Sequence, residues 1–221
     1  MNRFVIALSW LSALVGIAPA SALTIGADRL FDGRGNVLAP ARLVIEGGKI
    51  VSVESSAAPA DVRLEGCTLL PGLIDTHVHM AWHFDADGRS HDDEERGESP
   101  ASSALYALEN ATATLLGGVT TVQSLGAKLD GELRDAIARG RLPGPRVLTS
   151  LEPIADDALS PAELRSAVRE RAEQGADVIK LFASKSIRDG GGATFSQEQL
   201  DAACGEAKAQ VAPIHFHPRG Q

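Results

Sequence analysis

The stretch Asp75-Thr76-His77-Val78-His79 places two histidines two positions apart, at the end of a short apolar run that begins at Leu73. In an extended strand, residues at that spacing point the same way. His77 and His79 can therefore offer both imidazoles to one metal ion, and imidazole is the commonest metal ligand because it is largely neutral near pH 7. The same spacing also fits two ordinary core or surface histidines. A second pair, His215 and His217, flanks Phe216 near the end of the sequence. Lys180 interrupts the apolar run Val178-Ile-Lys-Leu-Phe182. A lone ammonium in a buried strand is costly unless it is paired or chemically modified, although at a strand end it can reach solvent. Asp75 is placed to orient the strand end or a ligand histidine rather than to bind metal. His83 and His91 fall in a long loop, where solvent-exposed histidines are the simpler reading and a substrate contact the sharper one. The acidic run from Asp92 to Glu98 reads as a solvated lead into a helix, and Asp189-Gly-Gly-Gly192 as a turn.

The elements that must position these residues follow a pattern. Leu23 to Leu70 reads as β structure, with a hairpin over Arg42–Glu46, Gly47-Gly48 and Lys49–Glu54. From Pro71 onward, strands alternate with helices. Strands are predicted over Leu73–His77, Val119–Ser124, Arg146–Ser150, Val178–Phe182 and Val211–Phe216. Helices are predicted from Pro100 to a stop at Gly117, over Asp130–Arg139, from a capping box at Ser160-Pro-Ala-Glu163, and from a second cap at Ser196. Repeated βα units imply a parallel sheet, doubly wound or closed as a barrel. Histidines, not a glycine-rich dinucleotide fingerprint, follow the first strand. That favours the barrel, in which chemistry sits at the C-terminal strand ends.

Composition narrows the function. Apolar residues at 44%, charged residues at 23% and a net charge of −8 describe an ordinary acidic globular protein, without the basic patch that nucleic-acid binding needs. Arg3, the apolar Phe4–Ile17 segment and Ala20-Ser21-Ala22 read as a secretory signal peptide over 1–22, cleaved near Ala22. The expected location is periplasmic or extracellular, with no stable membrane anchor, since the apolar run is too short to span a bilayer. Cys67 and Cys204 are expected to be two buried thiols, although an exported protein offers the chance of oxidation.

Pro71-Gly72-Leu73-Ile74-Asp75-Thr76-His77-Val78-His79 resembles the hallmark of the amidohydrolase superfamily. Gly117-Gly118-Val119-Thr120-Thr121-Val122 resembles that superfamily's second barrel strand. Gly140-Arg141-Leu142-Pro143-Gly144-Pro145-Arg146-Val147 resembles the entry to the third, as in imidazolonepropionase-like and prolidase-like members. The likeness runs from about residue 24 to about residue 208. It implies an α/β fold: part of a small β-sandwich over 23–70, then a partial (β/α)8 barrel of about strands one to five over 71–221. It also implies a divalent-metal site, one or two zinc ions with manganese, cobalt or iron as alternatives. The implied ligands are His77 and His79, His215 (with His217 as the other choice), and Lys180 carbamylated as a bridge. The implied activity is hydrolysis of a carbon–nitrogen bond in a small substrate, such as a dipeptide or N-acyl amino acid, by metal-activated hydroxide. A homo-oligomer is compatible with it.

A full barrel takes about 250 residues. The family's histidine ending the sixth strand and its catalytic aspartate ending the eighth have no counterpart here, so no catalytic residue is assigned. Two expectations therefore stand: a metal-dependent hydrolase represented by its front part, or a truncated, catalytically incompetent product with at most a partial metal site.

Overall fold

The computed structural model describes residues 22–84, 87–91 and 98–210, and the backbone alone of 214–218. The leader expected over 1–22 lies outside the described residues except for Ala22. So do Asp92 to Gly97 of the acidic run and the side chains of His215 and His217. The chain divides into two compact units, Met1–Pro71 and Gly72–Gln221.

The first unit is one mixed sheet. β1 (Leu23–Phe31) lies at its centre, antiparallel to β2 (Val37–Leu38) and β3 (Ala41–Glu46) and parallel to β5 (Val62–Leu69). β4 (Lys49–Glu54) pairs antiparallel with β3, Glu46 opposite Lys49. Gly47 and Gly48 form the turn at φ 55° and 76°, the left-handed pair that a two-residue hairpin demands and that glycine supplies without strain. Leu30, Ala41 and Leu43 form the small core.

The second unit alternates strand and helix. β6 (Leu73–Val78) pairs in parallel with β9 (Val119–Ser124), and β9 with β10 (Arg146–Thr149). β11 (Ile179–Ser184) pairs in parallel with β12 (Ile214–Pro218). Ile154, in the segment after β10, makes a single parallel bridge to β11: its amide donates to Lys180 O at 2.8 Å and its carbonyl accepts from the Phe182 amide at 3.2 Å. The unit thus holds two parallel sheets, β6-β9-β10 and β11-β12. A short antiparallel hairpin, β7 (His83–Phe84) with β8 (Ser90–His91), follows β6.

Helices α1 (Pro100–Leu116), α2 (Leu129–Ala138), α3 (Pro161–Glu173) and α4 (Gln197–Ala209) separate the parallel strands. Ala107 and Ala111 of α1, four apart on one face, pack with Val122, Leu133 and Val147. Leu164 and Val168 of α3 meet Ile179 and Leu181 of β11, and Ala203 and Ala207 of α4. Each of these last two helices starts from a reciprocal capping box, Ser160 with Glu163 and Ser196 with Gln199. Asp177 accepts from the Thr149 amide at 3.0 Å and from Arg134 Nη1 at 2.8 Å, so one carboxylate fastens α2 and β10 to the start of β11. The predicted turn at Asp189–Gly192 is a turn: a single 3-10 turn over Ile187–Asp189 followed by Gly190 at φ 88°.

Two expectations are corrected. Cys67 is exposed and Cys204 half-buried, both as free thiols. The periodicity around Cys67 is that of β5, a strand exposed along most of its length, so its apolar neighbours do not imply burial. His83 is 8% exposed rather than solvated, for reasons that belong to its hairpin.

Candidate metal centre

The candidate centre begins at the C-terminal end of β6. Alternation along the strand brings the rings of His77 and His79 to 5.4 Å between centroids, tilted by 52°. Asp75 acts on the backbone, as expected for an orienting group: its Oδ1 accepts from the His77 amide at 3.0 Å. The chain beyond His79 turns sharply, with the Trp82 amide donating to His79 O at 3.1 Å. That turn is pinned from two sides. Ser124 Oγ, at the end of β9, accepts from the Met80 amide at 3.0 Å. Asn110 of α1 donates through Nδ2 to Met80 O at 2.9 Å and to Trp82 O at 2.8 Å.

The imidazole of His79 is held by its surroundings. It stacks on the Trp82 indole at 3.7 Å, nearly coplanar at 9°. Gly126 lies so close that a Cβ there would stand 3.1 Å from His79 Nδ1. A side chain at this position would push the ring.

Lys180 enters from β11. It is 1% exposed, and its Nζ stands 3.3 Å from His77 Nε2 and 5.5 Å from the Phe182 ring centroid. Burial lowers its pKa from 10.5 to about 8, because an ammonium loses its hydration there while the neutral amine loses little. In the β11–β12 register, His215 lies directly opposite Lys180 and His217 opposite Phe182. His77 Nε2, with the His79 ring beside it, thus meets Lys180 Nζ between the end of β6 and the start of β11, with His215 one strand over at the level of Lys180 in the backbone register. The nitrogen donors are of the kind that hold zinc or a similar divalent ion.

Sequence reasoning missed several supporting groups. Trp82, Asn110, Ser124 and Gly126 sit in unlike sequence contexts and meet only in the fold. Asp130, at the start of α2, is fully buried. Its carboxylate oxygens find no hydrogen bond of normal geometry among the described residues. Burial raises its pKa from 3.8 to about 6, with Ser124 and the Ala127 amide near enough to oppose the shift in part. A carboxylate in a first helical turn reads as an ordinary helix start, which hid this one. His83, His91 and Glu98 form a second cluster of ligand-type side chains.

Two histidines at the C-terminal end of β6 and a buried lysine near the start of β11 form a candidate metal centre on an α/β scaffold. Residues 68–220 match the amidohydrolase family, and the chain belongs to it. It is 33% identical over 115 residues to imidazolonepropionase from Micrococcus luteus, a match covering 49% of this chain and 27% of that protein. A solved Xaa-Pro dipeptidase with methionine bound in its active site is similar at TM-score 0.77 and 28% identity, over 90% of this chain and 57% of that one. The ochratoxinase of A. niger is similar at TM-score 0.75 and 26% identity, over 92% of this chain and 57% of that one. The chain therefore spans little more than half the length of these solved relatives, and about a quarter of the curated one is matched.

Proposed function

We propose that this chain carries the metal-binding front of an exported hydrolase that cleaves carbon–nitrogen bonds in small substrates, dipeptides or N-acyl amino acids. In this reading β6, β9, β10, β11 and β12 are the first five strands of an eight-stranded barrel, and the first unit is part of a β-sandwich. The observation that carries the proposal is the 3.3 Å approach of the buried Lys180 Nζ to His77 Nε2.

His77, His79, Lys180 and His215 would hold the metal. Lys180 fits carbamylation: the neutral amine is the nucleophile toward carbon dioxide, and burial favours that neutral form. The Nζ lone pair adds to the carbon of carbon dioxide, and one proton leaves, giving an anionic carbamate in place of a cation. A divalent ion there would supply Lewis acidity toward water and the scissile carbonyl. The chain's own contribution is positional: Asp75 fixes the His77 backbone, while Trp82 and Gly126 fix the His79 ring. The substrate class is supported by the likeness to a solved Xaa-Pro dipeptidase.

The test is to load the purified chain with zinc in 13C-bicarbonate and to record its 13C spectrum together with dipeptide hydrolysis. A carbamate resonance that disappears in Lys180→Ala, with zinc stoichiometry falling alongside, supports the metal centre. An unchanged spectrum and stoichiometry in the variant would sink it. The second reading, a metal-holding chain without turnover, is favoured by the exposure of Leu73 and Ile74 on β6, 58% and 67%. Dipeptide turnover by this chain alone would exclude it.

A further inference from the structure

The hairpin after β6 builds a second cluster that the proposed centre does not use. In its register His83 stands directly opposite His91, so both side chains leave the same face. Glu98, just before α1, completes the set. The ligand-type atoms of His83, His91 and Glu98 all lie within 4.8 Å of one another. The His83 side chain is 6% exposed and that of Glu98 18%. The Tyr106 ring of α1 stacks on His83 at 3.7 Å and 10°, which fixes the imidazole plane.

The geometry of the cluster suits a cation. His83 Nδ1 faces the carbonyl of Ala81 at 3.3 Å. A carbonyl only accepts, so Nδ1 carries the proton. The neutral ring then turns the Nε2 lone pair toward Glu98 Oε1, also 3.3 Å away. Two acceptors at that distance repel unless something positive lies between them. A dication between them would engage His83 Nε2 and Glu98 Oε1 together, with His91, its ring stacked 4.8 Å from that of His83, as the third donor.

We infer that His83, His91 and Glu98 form a binding site for a transition-metal dication of the zinc class, separate from the strand-end centre. Ligand atoms around a tetrahedral ion with bonds of about 2.0–2.1 Å stand about 3.3 Å apart, the separation His83 and Glu98 already have. Closure requires His91, the half-buried member, to turn its ring inward. His91 and Glu98 also line a cavity of about 1170 Å³ with Trp82, Lys128, Leu133 and Glu152. The fourth coordination position thus opens on space large enough for water or a small ligand, the arrangement of a three-ligand site rather than a closed structural one.

The test uses the full chain with His77→Ala/His79→Ala, which removes the strand-end ligands and leaves the hairpin intact. Zinc calorimetry is expected to find one ion per chain. Adding His91→Ala or Glu98→Gln should weaken it at least tenfold, and the cobalt-loaded protein should lose its tetrahedral visible absorption in step. No zinc bound by the double variant, or affinity untouched by both hairpin substitutions, overturns the inference. Should the double variant fail to fold, the wild-type chain answers the same question. There, His91→Ala lowers the zinc stoichiometry by one if the site exists and leaves it unchanged if it does not.

Discussion

At the scale of single residues, the candidate centre depends on groups that never touch a metal. Gly126 is the sharpest case. A methyl group there must displace the His79 ring by a few tenths of an ångström, since 3.1 Å is too close for a carbon against the imidazole. Metal affinity tolerates little error in ligand position. Gly126→Ala is expected to weaken zinc binding roughly tenfold, read by competition with a chromophoric chelator, with the far-ultraviolet spectrum unchanged. Asp130 makes a prediction of a different kind. Its folded pKa, about 6, stands above the ordinary 3.8, so the folded state holds the proton more tightly. The stability it contributes is complete below about pH 4 and is lost as pH rises through 6. The difference is roughly 3 kcal/mol at most. Asp130→Asn keeps the shape and removes the titration. Urea unfolding between pH 4 and 7 should show a slope in wild type that flattens in the variant, with the variant the more stable protein at pH 7. Equal slopes would mean that Asp130 is solvated. None of this was legible in the sequence, where Gly126 is one of many glycines and Asp130 one of many helix-start carboxylates. The ligand candidates were legible, because a pair at strand spacing and a lysine in an apolar run break the local pattern.

At the scale of elements, the legible features were those whose physics is local. The Gly47-Gly48 turn and both capping boxes stand where sequence places them, because each is decided within a few residues. The parallel pairing of β1 with β5 and the β7–β8 hairpin were not legible. The first joins residues 37 to 39 positions apart, a loop-closure problem rather than a propensity one. The second has strands too short to show a period of two. That is why His83 was read as exposed: nothing in its neighbourhood announces Tyr106 and Glu98. The capping box of α3 gives a test at this scale. Ser160 Oγ accepts from the Glu163 amide at 3.3 Å, and Glu163 accepts in return from the Ser160 amide at 2.8 Å. Ser160→Ala should cost about 1 kcal/mol, seen as a lower urea midpoint at constant slope. Because α3 packs behind β11 through Leu164 and Val168, away from the strand ends, zinc affinity should not change. A loss of zinc affinity would mean that the cap positions Lys180.

At the scale of the whole molecule, the second unit holds two parallel sheets; the outer strand β6 of one presents Leu73 and Ile74 to solvent, and the proposed metal ligands come from that strand and from β11 of the other. The side-chain contact of His77 with Lys180 joins β6 to β11 directly. An ion bridging the two would act across the sheet, so its binding free energy should appear as global stability. A ligand at a hundred times its dissociation constant contributes about 2.7 kcal/mol. For a chain of this size each kcal/mol moves the melting temperature by about 2–4 °C. Saturating zinc is therefore expected to raise the thermal midpoint by roughly 5–10 °C, and a chelator should reverse it. His77→Ala/His79→Ala should remove most of that shift. Any remainder should vanish when His91→Ala is added, because the hairpin cluster holds its ion within one loop and next to α1. If zinc leaves the midpoint of the wild-type chain unmoved, β6 and β11 are not joined through a metal, and the strand-end histidines would have to be read as ordinary side chains of an exposed edge.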